Sequence, residues 1–231
     1  FIPEIIRIIG LLPQNGLIID VRGNGGGVIM NGERMLQLFS SSPVEAERLH
    51  FINSGLTLEI ASNNSLGGFA AEWQRSIELS LVTGAVYTQG FPIEPPAITN
   101  AIGQRYDGPV VLITDGRCYS TTDIFAAGFQ DNELGVILGV DENTGAGGAN
   151  VFDHDLLQRV LPGANSPIVA LPNGADMRVA IRRTTRVRKN AGLPLEDLGV
   201  QPDELRRLTR DDLLHDHRDL IGRAVEILDQ P

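Results

Sequence analysis

Residues Pro109-Val-Val-Leu-Ile-Thr-Asp-Gly-Arg-Cys-Tyr-Ser-Thr-Thr-Asp-Ile-Phe-Ala-Ala-Gly-Phe129 decide the fold. The short apolar run over 109–114 reads as a buried strand, and 121–129 reads as a helix. Upstream, Gly16-Leu-Ile-Ile-Asp-Val-Arg22 is a second buried strand, ended by Gly23-Asn-Gly-Gly-Gly27 and followed by helical spacing of Met35, Leu36 and Phe39. Downstream, Gly135-Val-Ile-Leu-Gly-Val140 is a third. Strand, helix and strand in that order predict right-handed crossovers and a mainly parallel sheet with helices outside, an α/β class.

The remaining elements are less regular. Residues 4–12 allow a short helix or a loop, and 45–53 alternate as a strand does. The pattern predicts a helix over 69–82 with Trp73, Ile77 and Leu81 on one face, which would pack on the core or on a second subunit. Ser166–Leu171 and Asp176–Val187 flank Asn173-Gly174, a late β-hairpin signal. Thr209 caps a C-terminal helical tail. No repeat or linker is visible, so 1–231 reads as one domain with its core over 16–204 and the tail over 205–231.

Net charge is −10, which argues against a nucleic-acid partner. Arg182, Arg183, Arg186, Arg188 and Lys189 form one basic stretch, read as the solvated face of a strand rather than an acidic-ligand groove. A single cysteine, Cys118, leaves no internal disulfide, and no run reaches the ~18 apolar residues of a membrane span. The sequence begins at Phe1 without a Met or a signal-peptide pattern, so it reads as part of a longer protein.

Three segments could carry chemistry. Ser120 lies between a buried strand and a helix, where unpaired N–H groups favour an acyl-transfer nucleophile; Ser120-Thr-Thr-Asp123 also has capping-box spacing, which needs no chemistry. Gly23-Asn-Gly-Gly-Gly27 lacks the third glycine of a dinucleotide loop and any Walker lysine, so it is either a tight turn or a presenter of bare N–H groups. Asp141–Gly148 has the wrong spacing for calcium. His50, His154, His215 and His217 form no metal pattern, and no metal or cofactor is expected.

Four segments in order resemble the C-terminal-processing (tail-specific) serine peptidase family: 16–27, 118–131, 139–148 and Leu195-Glu-Asp-Leu-Gly-Val-Gln-Pro-Asp203, with Gly25 where proline is usual. The resemblance implies a ClpP/crotonase-like superhelical core. It makes Ser120 the nucleophile, with the N–H groups of Thr121 and Gly26, or Gly27, as oxyanion donors. Most of that family pairs serine with a lysine in the glycine-rich loop, but here Gly147 stands in its place and the one lysine, Lys189, falls elsewhere. The loop Thr144-Gly-Ala-Gly-Gly148 and Leu195–Val200 are more similar to the Ser/His/Glu branch of tricorn core protease and protease-like activity factor. On that match Glu196 orients a histidine, and the histidine belongs to an upstream segment outside this sequence. A peptide or protein substrate, and a secreted or extracytoplasmic setting, follow from the resemblance alone. Two alternatives share the fold: a non-catalytic lipid- or retinoid-binding relative, and a crotonase-like acyl-CoA enzyme, which would not need Ser120.

Overall fold

The structure, a computed structural model, describes residues 1–63, 70–148, 151–163 and 166–230. In chain order its first elements are α1 (Ile2–Ile9), β1 (Leu17–Asp20), α2 (Ile29–Gln37), β2 (Arg48–Phe51), α3 (Gly55–Ser62), α4 (Ala70–Thr83) and α5 (Pro96–Thr99). There follow β3 (Val110–Thr114), α6 (Thr121–Asp131), β4 (Val136–Gly139), β5 (Val151–Asp153) and α7 (His154–Val160). The last are β6 (Arg178–Ala180), β7 (Arg182–Thr185), β8 (Glu204–Leu205), α8 (Arg210–Leu214) and α9 (Arg218–Leu228).

The chain packs as two compact units, Phe1–Glu47 with Glu94–Gly148 and Arg186–Pro231, and Arg48–Ile93 with Ala149–Thr185. Both are discontinuous in sequence, which is why no stretch of composition marks a linker.

The first unit carries a four-stranded parallel sheet in the order β1-β3-β4-β8. Every residue of β3 is buried, as a strand covered on both faces must be. Val111 and Ile113, with Leu138 and Val140, pack against Leu220, Ala224 and Ile227 of α9. Nearly all of α6 is buried, and it packs against α2 and β4. Parallel pairing brings the C-terminal ends of β1 and β3 side by side, Asp20 opposite Ile113, and the candidate site grows from those two ends. Thr209 does cap the tail, in a reciprocal box with Asp212. The tail then breaks at His215–His217, because Asp212 also accepts the Leu220 N–H (2.8 Å) and Asp216 and His217 take positive φ.

The second unit holds two antiparallel pairs, β2 with β7 and β5 with β6. The Trp73 indole donates to the Leu49 carbonyl (2.9 Å) and stacks edge-on against Phe51 and Phe91. Phe69, where the sequence pattern starts its helix, lies outside the described residues. In α4 Trp73 and Ile77 are buried, but Leu81 is exposed and Ser76 and Ser80 complete the inner face. A 3.6-residue period places position 80, not 81, over Trp73. A late antiparallel pair is present with different partners from those expected. No strand forms over 166–171, and β6 pairs with β5, while Asn173 takes a left-handed conformation (φ 57°) in the turn.

The basic stretch is not a solvated face. Arg182 is buried, its guanidinium over the rings of Phe51 and Phe152 (each 5.4 Å), and burial lowers its pKa to about 10. Arg183 stacks on Tyr87 (4.1 Å). In the first unit Arg186 is buried against Asp131 (2.6 Å) and Gln130 (2.8 Å). Only Arg188 and Lys189 are exposed. The alternation was real, but Arg side chains can be buried where rings or a carboxylate receive them.

Candidate active site

The turn from β3 into α6 is tied to the end of β1 at three points. Both Asp115 carboxylate oxygens accept the Gly23 N–H (3.0 Å), the Cys118 thiol donates to the Val21 carbonyl (3.1 Å), and the Tyr119 N–H donates to the Asn24 carbonyl (3.0 Å). Burial pushes Asp115 up, but the bonds from the Gly23 amide, the Cys118 thiol and the Arg117 amide outweigh it, and its pKa lies below the ordinary value. Burial pushes the Cys118 thiol up to about 12, so this cysteine is a protonated buttress and no nucleophile.

Ser120 sits at the N-terminus of α6 with φ 57° and ψ −121°, a conformation few side-chain-bearing residues adopt. Its side chain makes no capping bond. The Ser120 N–H nevertheless faces the Asp123 carboxylate closely enough to favour its charged form. Asp123 is fully buried and accepts from the Thr144 hydroxyl and from the N–H groups of Ala146 (3.1 Å) and Gly147 (2.9 Å). Burial outweighs these bonds and raises its pKa. Thus Asp123 holds the serine turn and the glycine-rich loop together and leaves the Ser120 hydroxyl uncommitted.

The Gly23–Gly27 segment runs directly against that serine. A β-carbon at Gly26 (φ 95°) would lie 2.6 Å from the Tyr119 carbonyl oxygen, 2.7 Å from the Thr121 nitrogen and 2.8 Å from the Ser120 Cβ. Only glycine fits. The Gly26 N–H donates to Asn24 Oδ1 (2.9 Å), which also accepts from the Thr122 hydroxyl (3.0 Å), and the Thr121 hydroxyl donates to the Gly27 carbonyl (2.8 Å). The amides of Gly27 and Thr121 meet no acceptor among the described residues. Between α2 and α6, and bordering both amides, lies a cavity of about 370 Å³.

A side chain at position 147 would need the Tyr119 ring to move aside. A β-carbon there would lie 2.1 Å from Tyr119 Cζ, and one at Gly145 2.6 Å from Tyr119 Cδ2, because the Tyr119 ring lies over this bare backbone. Lys189 is exposed in the 188–190 turn. Leu195–Val200 is clasped to the same loop. The Thr144 N–H donates to the Val200 carbonyl (3.1 Å), the Val200 N–H donates to the Thr144 hydroxyl (2.8 Å), and Leu195 packs over Gly148. Glu196 is half-buried on this segment.

In the first unit neither His215 nor His217 has a bond to Ser120. His50 uses both ring nitrogens inside the second unit, Nδ1 donating to the Thr88 carbonyl (2.8 Å) and Nε2 accepting from Thr185 (2.9 Å). Its pKa is lowered, first by burial and then by Arg183. His154 is buried, with Nε2 bonded to the Val169 carbonyl (2.9 Å). His217 Nδ1 faces Arg22 (3.3 Å), and His215 is exposed. Sequence reasoning missed Asn24, Asp115, Tyr119 and the bridging role of Asp123. The one signal was Asp123 at the third helical position.

The model of Peptidase family S41 matches residues 11–205. The chain belongs to this family. None of the curated proteins matches the sequence. Among solved structures, this S41 chain superposes on mature CPAF complexed with lactacystin with a TM-score of 0.69 at 17% identity, over 97% of this chain and 45% of that one. A proposed peptidase from Parabacteroides merdae gives a TM-score of 0.57 at 20% identity, over 94% and 52%. The S41 chain therefore spans about half the length of these structures. No helix among the described residues is long and apolar enough to cross a membrane.

Proposed function

We propose that this chain carries the nucleophile of a serine peptidase and hydrolyses peptide bonds through an acyl-enzyme on Ser120. One observation carries the reading: a serine hydroxyl left out of capping, at a strained helix N-terminus, beside the bare amides of Gly27 and Thr121. The hydroxyl attacks the substrate carbonyl and gives its proton to a base. The amides of Gly27 and Thr121 receive the oxyanion, and the departing amine takes the proton back; water then releases the acyl group by the same route. Gly27 is preferred to Gly26 as donor because Asn24 already takes the Gly26 N–H. Glu196 orients and charge-stabilises an imidazole, as in the Ser/His/Glu arrangement. His215 and His217 have no bond to Ser120, and His50 and His154 are engaged inside the second unit; on this reading the base comes from another segment of the full-length protein, and residues 1–231 alone turn over peptides very slowly or not at all. The serine peptidases of this family act on peptides or proteins, and the same substrate class is proposed here.

The test is a fluorophosphonate probe on the full-length protein. Covalent mass on Ser120, absent in Ser120→Ala, supports the reading. Saturable binding of a lipid with no labelling would replace it with a binding protein on the same fold.

A further inference from the structure

The cavity beside the two bare amides has a definite chemistry. Val21, Val28, Met35 and Phe125 give it apolar walls, Gly27 and Thr121 form its edge, and Gly32 contributes no side chain. Of the polar atoms along it, the Thr121 hydroxyl is taken by the Gly27 carbonyl, and the Thr122 hydroxyl and Gly26 amide by Asn24 Oδ1; the Asn31 side chain and the two bare amides stay open at its edge. An occupant would meet few open hydrogen-bonding groups and much apolar surface, so burial of hydrocarbon is what the cavity rewards. At about 370 Å³ it lies near the lower end of ligand-pocket volumes, room for one side chain rather than a folded segment.

Its position says which side chain. A carbonyl oxygen held by the amides of Gly27 and Thr121 belongs to a residue whose Cα is one bond from the reacting carbon. The cavity borders both amide-bearing residues, so it is the wall that this residue's side chain meets first.

We propose that the cavity between α2 and α6 receives the side chain of the residue that supplies the scissile carbonyl, and that it selects large apolar side chains of leucine, methionine or phenylalanine size. Met35 and Phe125 set its depth and Val28, half-exposed at its mouth, sets its rim. The proposal rests on the acyl-enzyme reading above and names its substrate class.

The experiment uses binding, so that it stands apart from turnover. Full-length protein carrying Ser120→Ala is titrated with product-like peptides, acetyl-Ala-Ala-Pro-X with a free carboxylate, where X is Leu, Phe, Ala, Asp or Lys. Peptides ending in Leu or Phe are expected to bind at least about tenfold tighter than those ending in Ala or Asp, the scale of a few methylenes in an apolar pocket. Val28→Glu, at an exposed position that leaves the core intact, should weaken the Leu peptide and tighten the Lys peptide. Met35→Ala should shift the preference from Leu towards Phe. Equal binding across X, or a preference that neither variant moves, overturns the assignment. Absence of fluorophosphonate labelling on Ser120, with the apolar preference intact, would instead overturn the acyl-enzyme reading and keep the pocket.

Discussion

Two strand-to-helix junctions meet in the first unit and solve one problem by opposite means. At the end of β1 the chain reaches α2 through Gly23–Val28; at the end of β3 it reaches α6 through Asp115–Ser120. The first junction is bare over Gly25–Gly27, where no side chain stands, and its shape depends on what is missing. The second keeps a side chain at a strained position, and two buried carboxylates, Asp115 and Asp123, hold it there by taking backbone N–H groups from three neighbouring segments. One presents amides and the other a hydroxyl. The first should therefore fail sterically when changed, and the second through lost hydrogen bonds.

The largest effect is expected at Gly26. Gly26→Ala places a methyl within 2.6–2.8 Å of three atoms, two of them backbone, at a φ that alanine avoids. The loss should exceed about 3 kcal/mol, strain plus clash, and abolish probe labelling of Ser120. Gly25→Ala is the matched control, since a β-carbon there meets nothing within 4 Å and φ is not positive. Its thermal midpoint and labelling should stay close to the parent's; equal damage from both would break the steric half of the comparison.

The helices that leave the two junctions differ in the same sense. On α6, Asp131 is buried but held by Arg186 and Asn190. On α2, Glu33 is equally buried and neither of its carboxylate oxygens has a partner among the described residues. Burial, then repulsion from Glu94, raises its pKa to about 8 against the pull of Arg34, and Glu47 beside it is raised as well. In the unfolded chain Glu33 ionises near 4.5. Stability is therefore full below pH 4.5, falls as pH rises towards 8, and is flat beyond, because the unfolded state gives up its proton first. Glu33→Met, similar in length, should lessen this slope, leaving the part that Glu47 contributes, and gain on the order of 3 kcal/mol at pH 7, read from urea midpoints at pH 5 and pH 8. An unchanged slope would show that Glu33 is not the group responsible.

Asp123→Asn comes next. An amide keeps one acceptor but turns N–H donors towards the N–H groups of Ser120, Ala146 or Gly147. A loss of about 2 kcal/mol is expected, the scale of a buried polar group left unpaired. Labelling of Ser120 should fall with it, because the serine turn and the glycine-rich loop are no longer held together. Lost stability with full labelling would mean that Asp123 supports the fold but does not set the serine.

What the sequence could and could not announce follows from how far each feature reaches. The three central strands and α6 were legible because an apolar run is local, and parallel pairing then set Gly26 and Thr121 beside Ser120 without further information. The match of 11–205 to the peptidase family agrees with the segments read over 16–204. Burial of Arg186 was not legible, since it depends on Asp131, 55 positions away. Nor was burial of Arg182, which depends on two rings from separate strands. The hairpin signal at Asn173-Gly174 gave the turn correctly, but the partner strand was chosen by packing. The Tyr119 ring lying over Gly147 was invisible for the same reason.

The smallest effect separates strain from chemistry at Ser120 itself. Ser120→Ala removes the hydroxyl and keeps a β-carbon at φ 57°, whereas Ser120→Gly removes both. If the second junction stores strain on behalf of its hydroxyl, the glycine variant should be the more stable by about 1 kcal/mol, the gain from relieving an unfavourable conformation less the chain entropy that glycine loses. Both variants should be equally unreactive to the probe. Equal thermal midpoints would mean that the bonds to Asp115 and Asp123 relax the turn fully. A glycine variant less stable than alanine would mean that the serine β-carbon, 2.8 Å from where Gly26 forbids one, is a packing contact that the glycine junction needs.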